Sequence, residues 1–419
     1  MVNLPGDKIK VMQVQATFRK ELIYMIYVGI DVASTKHDIF IMSQSGITYG
    51  KIFQIKNSLD EYKKLLNKID DAKKFFKDSK VRIGIESTGS YSSTLVNYLA
   101  NFPDLEVIYI NPILTNKFQL SQSIHYAKTD SIDAEGICKF LIKNPEILTY
   151  TPPSYQKTQL KSLYRELMKL NKLKEQASNR LHAILHITFP EIFSIFKDIL
   201  AKGVLILLNN YPIPSSFKYV HESTIATLLK DNSNGRLSSK KAKDIIQASK
   251  LSIGHFSEAD ALIIKILTDN ILMFKKQRDT ILHLLKQIDD EEYNLLLSIP
   301  GVGINTACGI IGEIGDINNF KNPNALLAYA GLNPLVYQSG KYEAKHTSIS
   351  KKGSRYLRNA LIQVSRNIII YNHDFNLYYK KKISGGKSYN CSIGHISKKL
   401  VRVIFYILKH KTPYKLINQ

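Results

Sequence analysis

Residues 25–46 read MIYVGIDVASTKHDIFIMSQSG. Met25–Val32 is a short apolar run rich in β-branched and aromatic side chains, and the small polar residues after it mark a turn. That combination predicts a strand, with 37–46 as its hairpin partner. One residue breaks the apolar character. Alternation puts Tyr27, Gly29 and Asp31 on one face, and Val28, Ile30 and Val32 on the other. A carboxylate in mid-sheet is costly unless it is paired or bound to a metal.

Working outward, 47–56 reads as a third strand, and 58–69 as a helix capped by Ser58. Residues 81–86 predict a strand, 91–102 a helix, and 105–110 a strand ending at Asn111-Pro112. A further helix holds AKTDSIDAEGI, 127–137. Such alternation implies an α/β domain with a mixed sheet. Glu86 repeats the setting of Asp31: Arg82, Gly84 and Glu86 share a face, and each acid has a glycine two residues before it. Glycine weakens a strand but leaves room for a close approach to its backbone. Asp130 and Asp133 are three apart, so they share a helix face. Taken singly, Asp31 and Glu86 read equally well as salt-bridge partners, and Asp130 with Asp133 as a solvated helix face. Taken together, the four supply oxygen donors for a hard divalent cation. Two such cations about 4 Å apart are a standard device for attack at phosphorus.

The chain has 419 residues, enough for two or three domains. Its 58 Lys and Arg outweigh 35 Asp and Glu, for a net charge of +23. That balance predicts a nucleic-acid partner. No apolar run reaches the roughly 18 residues a membrane span needs. Cys138, Cys308 and Cys391 are scattered, which argues against a disulfide framework or structural zinc. A reducing cytoplasm is the expected location. Residues 1–24 carry little pattern and read as an extension open to disorder, with Met25 as an alternative start.

TPPSYQ at 151–156 punctuates the chain. Leu160, Leu163, Leu167 and Leu170 then form a helical stripe, continued by Ala177, Leu181 and Ile184. Leu267, Ile271, Phe274, Ile281, Leu285 and Ile288 hold a second seam. Two long amphipathic helices around an insert suggest an antiparallel coiled coil, a dimer arm, or a helical bundle core. The expected organisation is an extension at 1–24, an α/β domain at 25–150, a helical middle at 151–290 and a mainly helical unit at 291–419.

The last unit opens with IPGVGINTACGIIGEIG, 299–315, which has the form of a helix-hairpin-helix. Gly301 and Gly303 allow a tight turn whose amides suit a phosphate, although a plain helix–helix turn fits as well. From Lys341 onward there are 17 Lys and Arg against two acids, Glu343 and Asp374. Lys341, Lys345, Lys351, Lys352, Arg355 and Arg358 crowd one region, with Tyr337, Tyr342 and Tyr356 available to stack on bases. YYKKKISGGKS, 378–388, reads as a basic loop carrying Lys380, Lys381 and Lys382. Lys128 precedes the paired aspartates. A hydroxyl nucleophile needs a base or metal, and spacing alone does not choose among Ser339, Ser348, Ser350 and Ser354.

YVGIDVASTKHDIFI, IGIESTGSY, INPILTNKFQLSQSIHYAKTDSIDAEGI, LLLSIPGVGINTACGIIGEIGDINNF, ALLAYAGLNPLVYQSG and SISKKGSRYLRNAL occur in this order. In these stretches the chain resembles the DEDD transposases of bacterial insertion sequences, which include Piv-like DNA invertases and bridge-RNA-guided recombinases. The resemblance covers about 25–150 and 290–410. It implies an RNase H-like (RuvC-like) α/β N-terminal domain, a long helical or coiled-coil middle, and a mainly α C-terminal transposase domain with a helix-hairpin-helix. It carries the DEDD set onto Asp31, Glu86, Asp130 and Asp133, and the serine nucleophile of the family's Tyr-x-Ser-Gly stretch onto Ser339. It further implies Mg²⁺ or Mn²⁺, double-stranded DNA at element ends and target, a structured guide RNA, and a homo-oligomer, dimer or tetramer, built through the helical region. Metal site and serine are thought to come from different subunits and to pass through a phosphoserine. The alternative on the same fold is a Holliday-junction resolvase using water as nucleophile. A sugar- or acetate-kinase-like ATPase lacks its second phosphate loop here. A purely binding, inactivated copy is disfavoured because all four acids and the serine are present.

Overall fold

The structure, a computed structural model, describes residues 25–87, 90–122, 130–237, 239–288, 290–335, 338–339, 342–343 and 348–415. At residues 90, 122, 130–132, 338, 339, 342 and 343 it describes the backbone alone. The chain divides into two compact units. The first runs to Pro153 and takes in Asp316–Lys321; the second holds Ser154–Gly315 and Asn322 onward.

The first unit contains β1 (Met25–Val32), β2 (Lys36–Ser43), β3 (Phe53–Lys56), α1 (Leu59–Phe76), β4 (Lys80–Glu86), α2 (Ser90–Leu99), β5 (Leu105–Ile110), α3 (Pro112–Gln122) and α4 (Asp130–Lys143). The strands form one five-stranded sheet in the order β3-β2-β1-β4-β5. β2 runs antiparallel to both of its neighbours, β1 and β3, while β4 runs parallel to β1 and β5. Both faces are covered, which is why β1 is apolar almost throughout. Ile26, Val28 and Ile30 pack with Leu65 and Ile69 of α1 and Leu95 of α2. Tyr27, Met42 and Ile108 pack with Ile137, Cys138 and Leu141 of α4. This mixed sheet is consistent with the expected RNase H-like domain. The third strand is shorter than its sequence suggested, because Gly46 and Gly50 take positive φ and leave only a bridge at Thr48 before Phe53.

The second unit is helical apart from short β segments. It begins with α5 (Tyr155–Thr188), capped by the Ser154 side chain. Small helices follow: α6 (Ile192–Ile195), α7 (Lys202–Asn210), α8 (Glu222–Asp231) and α9 (Ser239–Lys250). α10 (Glu258–Gln287) then starts on a Ser257–Asp260 capping box. Ala177, Leu181 and Leu185 near the end of α5 share a core with Ala261, Ile264 and Leu267 at the start of α10. Thr158 and Leu163 near the start of α5 line one hollow with Leu284 and Gln287 at the end of α10. The two long helices are therefore an antiparallel pair, and the insert completes the core at one end of it.

α11 (Glu291–Leu297), a glycine turn and α12 (Ile304–Ile314) come next. α12 lies on α5 at backbone distance: a Cβ at Gly312 would come within 2.4 Å of the Lys161 nitrogen. α13 (Pro323–Tyr329), β6 (Gln338–Ser339), β7 (Tyr342–Glu343), α14 (Arg355–Tyr371), α15 (His373–Ser384) and α16 (Tyr389–His410) complete the unit. Lys380–Lys382 lie on α15, not in a loop as their sequence suggested. The Asn372 side chain caps that helix, and lysine is a good helix former; the turn waits for Gly385 and Gly386.

Candidate active site

Register sets the first part of the site. Gly29 pairs with Gly84 and Ile30 with Ile85 across the parallel strands β1 and β4. Asp31 and Glu86 each follow by one residue, just past the last paired rung of these two strands. Both glycines lie under α4. A Cβ on Gly29 would sit 2.0 Å from the Ala134 carbonyl oxygen, and one on Gly84 2.5 Å from Ile137 Cγ2. The Cys138 thiol lies 3.6 Å from the Tyr27 carbonyl and 3.5 Å from that of Phe40. α4 therefore runs back along β1, and its first turn lies at the acid end of the strands. Asp133, one residue before Ala134, is 9% exposed. Asp130 opens the same helix, with its side chain outside the described residues; Lys128 lies outside them altogether. Sheet and helix thus bring Asp31, Glu86 and Asp133 to one edge.

Neighbours hold this edge in place. The Thr115 hydroxyl, fully buried at the start of α3, donates to Glu86 Oε1. Asp38 stands directly across from Asp31 on β2 and accepts a 2.8 Å hydrogen bond from Gln54 Nε2. Arg82, on the face of Glu86, is committed elsewhere: its guanidinium pairs with Glu106 at 2.9 Å and donates to the Pro145 carbonyl. Burial pushes the Cys138 thiol far above its ordinary range, so it packs rather than reacts. Among the described residues no three His, Cys, Asp or Glu side chains are gathered closely enough to hold a metal ion. The donor chemistry nevertheless fits one: the acids are hard oxygen ligands, and the glycine cradle admits the helix that brings two of them.

In the second unit, Ser339 ends β6 and is registered opposite Tyr342 of β7. Its side chain lies outside the described residues, as do Gly340, Lys341 and Lys345. Both arms return to a paired root. Pro334 bridges Ile349, and the Leu335 amide donates to the Ser348 carbonyl. The Lys351 amide donates to the Gly331 carbonyl, and that of Ser354 to the Tyr329 carbonyl. Below this root lies Glu313, 1% exposed. Arg165 of α5 grips it bidentately through Nε and Nη2, at 2.5 and 3.0 Å. Ser354, which caps α14, donates to the same carboxylate at 2.7 Å. The ion pair drives the Arg165 pKa further up.

A DEDD transposase model, described as Transposase, matches residues 28–190, and a model described as Transposase IS116/IS110/IS902 family matches residues 293–380. This chain belongs to the IS116/IS110/IS902 transposase family. It is an enzyme of DNA cleavage and joining. An insertion element IS116 protein of Streptomyces clavuligerus is 21% identical across 94% of this chain and 98% of its own length. The pilin gene-inverting protein of Moraxella bovis is 30% identical across 29% of this chain and 38% of its own. The transposase for insertion element IS1111A of Coxiella burnetii is 29% identical across 30% of this chain and 35% of its own.

The transposase carries its described basic residues in different states. Lys351 and Lys352 are exposed in the turn before α14, and Arg355 is exposed on its first turn. The guanidinium carbons of Arg355 and Arg165 each lie 4.8 Å from the centre of the Tyr356 ring. Arg358 has an internal task, since its Nη1 donates to the carbonyls of Ala330 and Lys351 at 3.1 and 3.2 Å. Burial lowers its pKa. Lys380 and Lys381 are exposed on α15, while Lys382 lies over the Tyr378 ring. Gly301 adopts φ +95 with its Cα against Ile368, whereas Gly303 begins α12 facing open space. The sequence reading passed over Thr115, Asp38, Gln54 and the Arg165–Glu313 pair. Strand alternation around Asp38 carried a signal once the β1–β2 register was known; Thr115 and Glu313 carried none.

Among the described residues no helix is long and apolar enough to cross a membrane.

Proposed function

We propose that this transposase acts as a site-specific recombinase in which Ser339 attacks a DNA phosphorus. Asp31, Glu86, Asp130 and Asp133 hold Mg²⁺ or Mn²⁺. The observation that carries this reading is the glycine-cushioned contact of α4, which delivers Asp133 to the strand ends bearing Asp31 and Glu86. Bound cations supply charge stabilisation at the phosphoryl oxygens. The serine oxygen forms a bond to phosphorus as the strand oxygen departs and takes up a proton. A hydroxyl of the new strand then attacks the phosphoserine, forms the new phosphodiester and frees the serine. Each phosphoester broken is matched by one made, so no outside energy source is required.

Lys128, Lys341, Lys345, Lys351, Lys352, Arg355 and Lys380–Lys382 contact the nucleic-acid backbone in this reading, while Arg358 braces the turn that carries Lys351. The Gly301–Gly303 turn serves as a helix-hairpin-helix phosphate site. A structured guide RNA selects the target, and the long helix pair works as a coiled coil that joins subunits so that serine and acids from different copies meet at one phosphate. The enzyme works in the cytoplasm, at the nucleoid.

The test is strand exchange on element-end DNA. Ser339→Ala and Asp31→Asn are each expected to abolish exchange while DNA binding persists. Wild-type exchange by Ser339→Ala, or failure to trap a protein–DNA adduct during turnover, would instead favour water as the nucleophile.

A further inference from the structure

The acid edge extends past Asp31 across the sheet. Asp38 is registered opposite Asp31, and Gln54 opposite Asp38. Asp38 alternates with Phe40 and Met42, which pack with Cys138 and Ile137, so it lies on the face covered by α4. It is 5% exposed. Among the described residues the partner that holds it is Gln54, through a single amide hydrogen bond.

That arrangement is unfavourable on its own terms. Like charges directly opposed across antiparallel strands are destabilising. A cation at this position would relieve the opposition of Asp31 and Asp38.

We infer that Asp38 is a positioning residue of the acid edge, a fifth carboxylate that accepts hydrogen bonds from the water shell of a divalent cation held by Asp31. The inference rests on the metal-dependent reading above. Side chains directly opposed on antiparallel strands have Cβ atoms about 5 Å apart. An ion on the Asp31 carboxylate therefore brings its water ligands within reach of Asp38. Magnesium keeps several waters when bound by one or two carboxylates, and those waters need acceptors fixed in place. Gln54 provides the fixing by holding one carboxylate oxygen.

The experiment uses the full-length chain. Mg²⁺ affinity is measured by calorimetry, and Tb³⁺ binding by tyrosine-sensitised luminescence, since Tyr27 lies on the same face. Asp38→Asn is expected to weaken both by about tenfold. In metal-free buffer the same variant is expected to melt roughly 2 °C higher than wild type, because the opposed charges are relieved. Gln54→Leu, which leaves Asp38 in place but unheld, is expected to weaken affinity in the same direction. Wild-type affinity in Asp38→Asn overturns the inference, as does a lower metal-free melting temperature with affinity unchanged. Wild-type protein that binds neither ion overturns the metal reading and this inference together. Saturable wild-type binding that is lost in Asp31→Asn but kept in Asp38→Asn overturns this inference alone.

Discussion

Both units use glycine to lay a helix on backbone, but to different ends. In the first unit Gly29 and Gly84 admit α4, and the contact carries acids to the strand ends. In the second, Gly309 meets the Tyr164 ring and Gly312 the Lys161 backbone, and the contact fixes α12 on α5. The acids rise from a sheet whose register leaves them little freedom. Ser339 sits on a two-residue strand whose root is held by Ser354 on the buried carboxylate of Glu313. A centre that binds cations gains from preorganised ligands. In the proposed reaction, a serine that must reach a bound strand is better carried on a slender mount anchored at its base.

The largest expected effect tests the first half of this comparison. Gly29→Ala places a methyl group 2.0 Å from a backbone oxygen, a clash that no rotamer relieves. It should displace α4 and abolish strand exchange, with DNA binding retained and near-ultraviolet dichroism altered. Gly394→Ala on α16, where an added methyl group meets nothing within 4 Å, serves as the tolerated control.

The second effect concerns the mount. Arg165→Ala leaves the Glu313 carboxylate buried beside Ser354 with its main counter-charge gone. Breaking such a pair costs about 3 kcal/mol. Urea unfolding should show that loss, and Glu313→Gln in the same background should recover part of it. No recovery would mean that Arg165 acts through packing on Tyr356 instead.

The sequence made the first unit more legible than the second, for physical reasons. Strand alternation and the glycine–acid spacing around Asp31 and Glu86 are local signals, and the sheet obeyed them. The packing of Ala134 on Gly29 is not local; the glycines announced that something approached without saying what. In the second unit the stripes from Leu160 and Leu267 foretold long helices. The capping of α15 at Asn372 outweighed a lysine-rich composition that read as loop. Glu313 gave no warning because its partners, Arg165 and Ser354, are 148 and 41 residues away.

The smallest effect is electrostatic. Partial burial, then the charges of Lys382, Lys398 and Lys387, hold the pKa of His395 below its ordinary 6.5. The folded state resists this proton, so stability falls as pH drops through 6.5 toward the depressed value. A polyanion laid over those lysines removes part of the field and raises the pKa. DNA binding near pH 6 should therefore take up a fraction of a proton, read from calorimetry in buffers of different ionisation heat. It should vanish in His395→Gln.

Thr151 and Asn319 exchange two hydrogen bonds, at 2.7 and 2.8 Å, inside the first unit although 168 residues separate them. During synthesis the ribosome must add that whole stretch before the latch can close. At about 5–20 residues per second this takes roughly 10–30 s. The unit bearing the acids is thus completed late in translation, after most of the helical arm has already emerged.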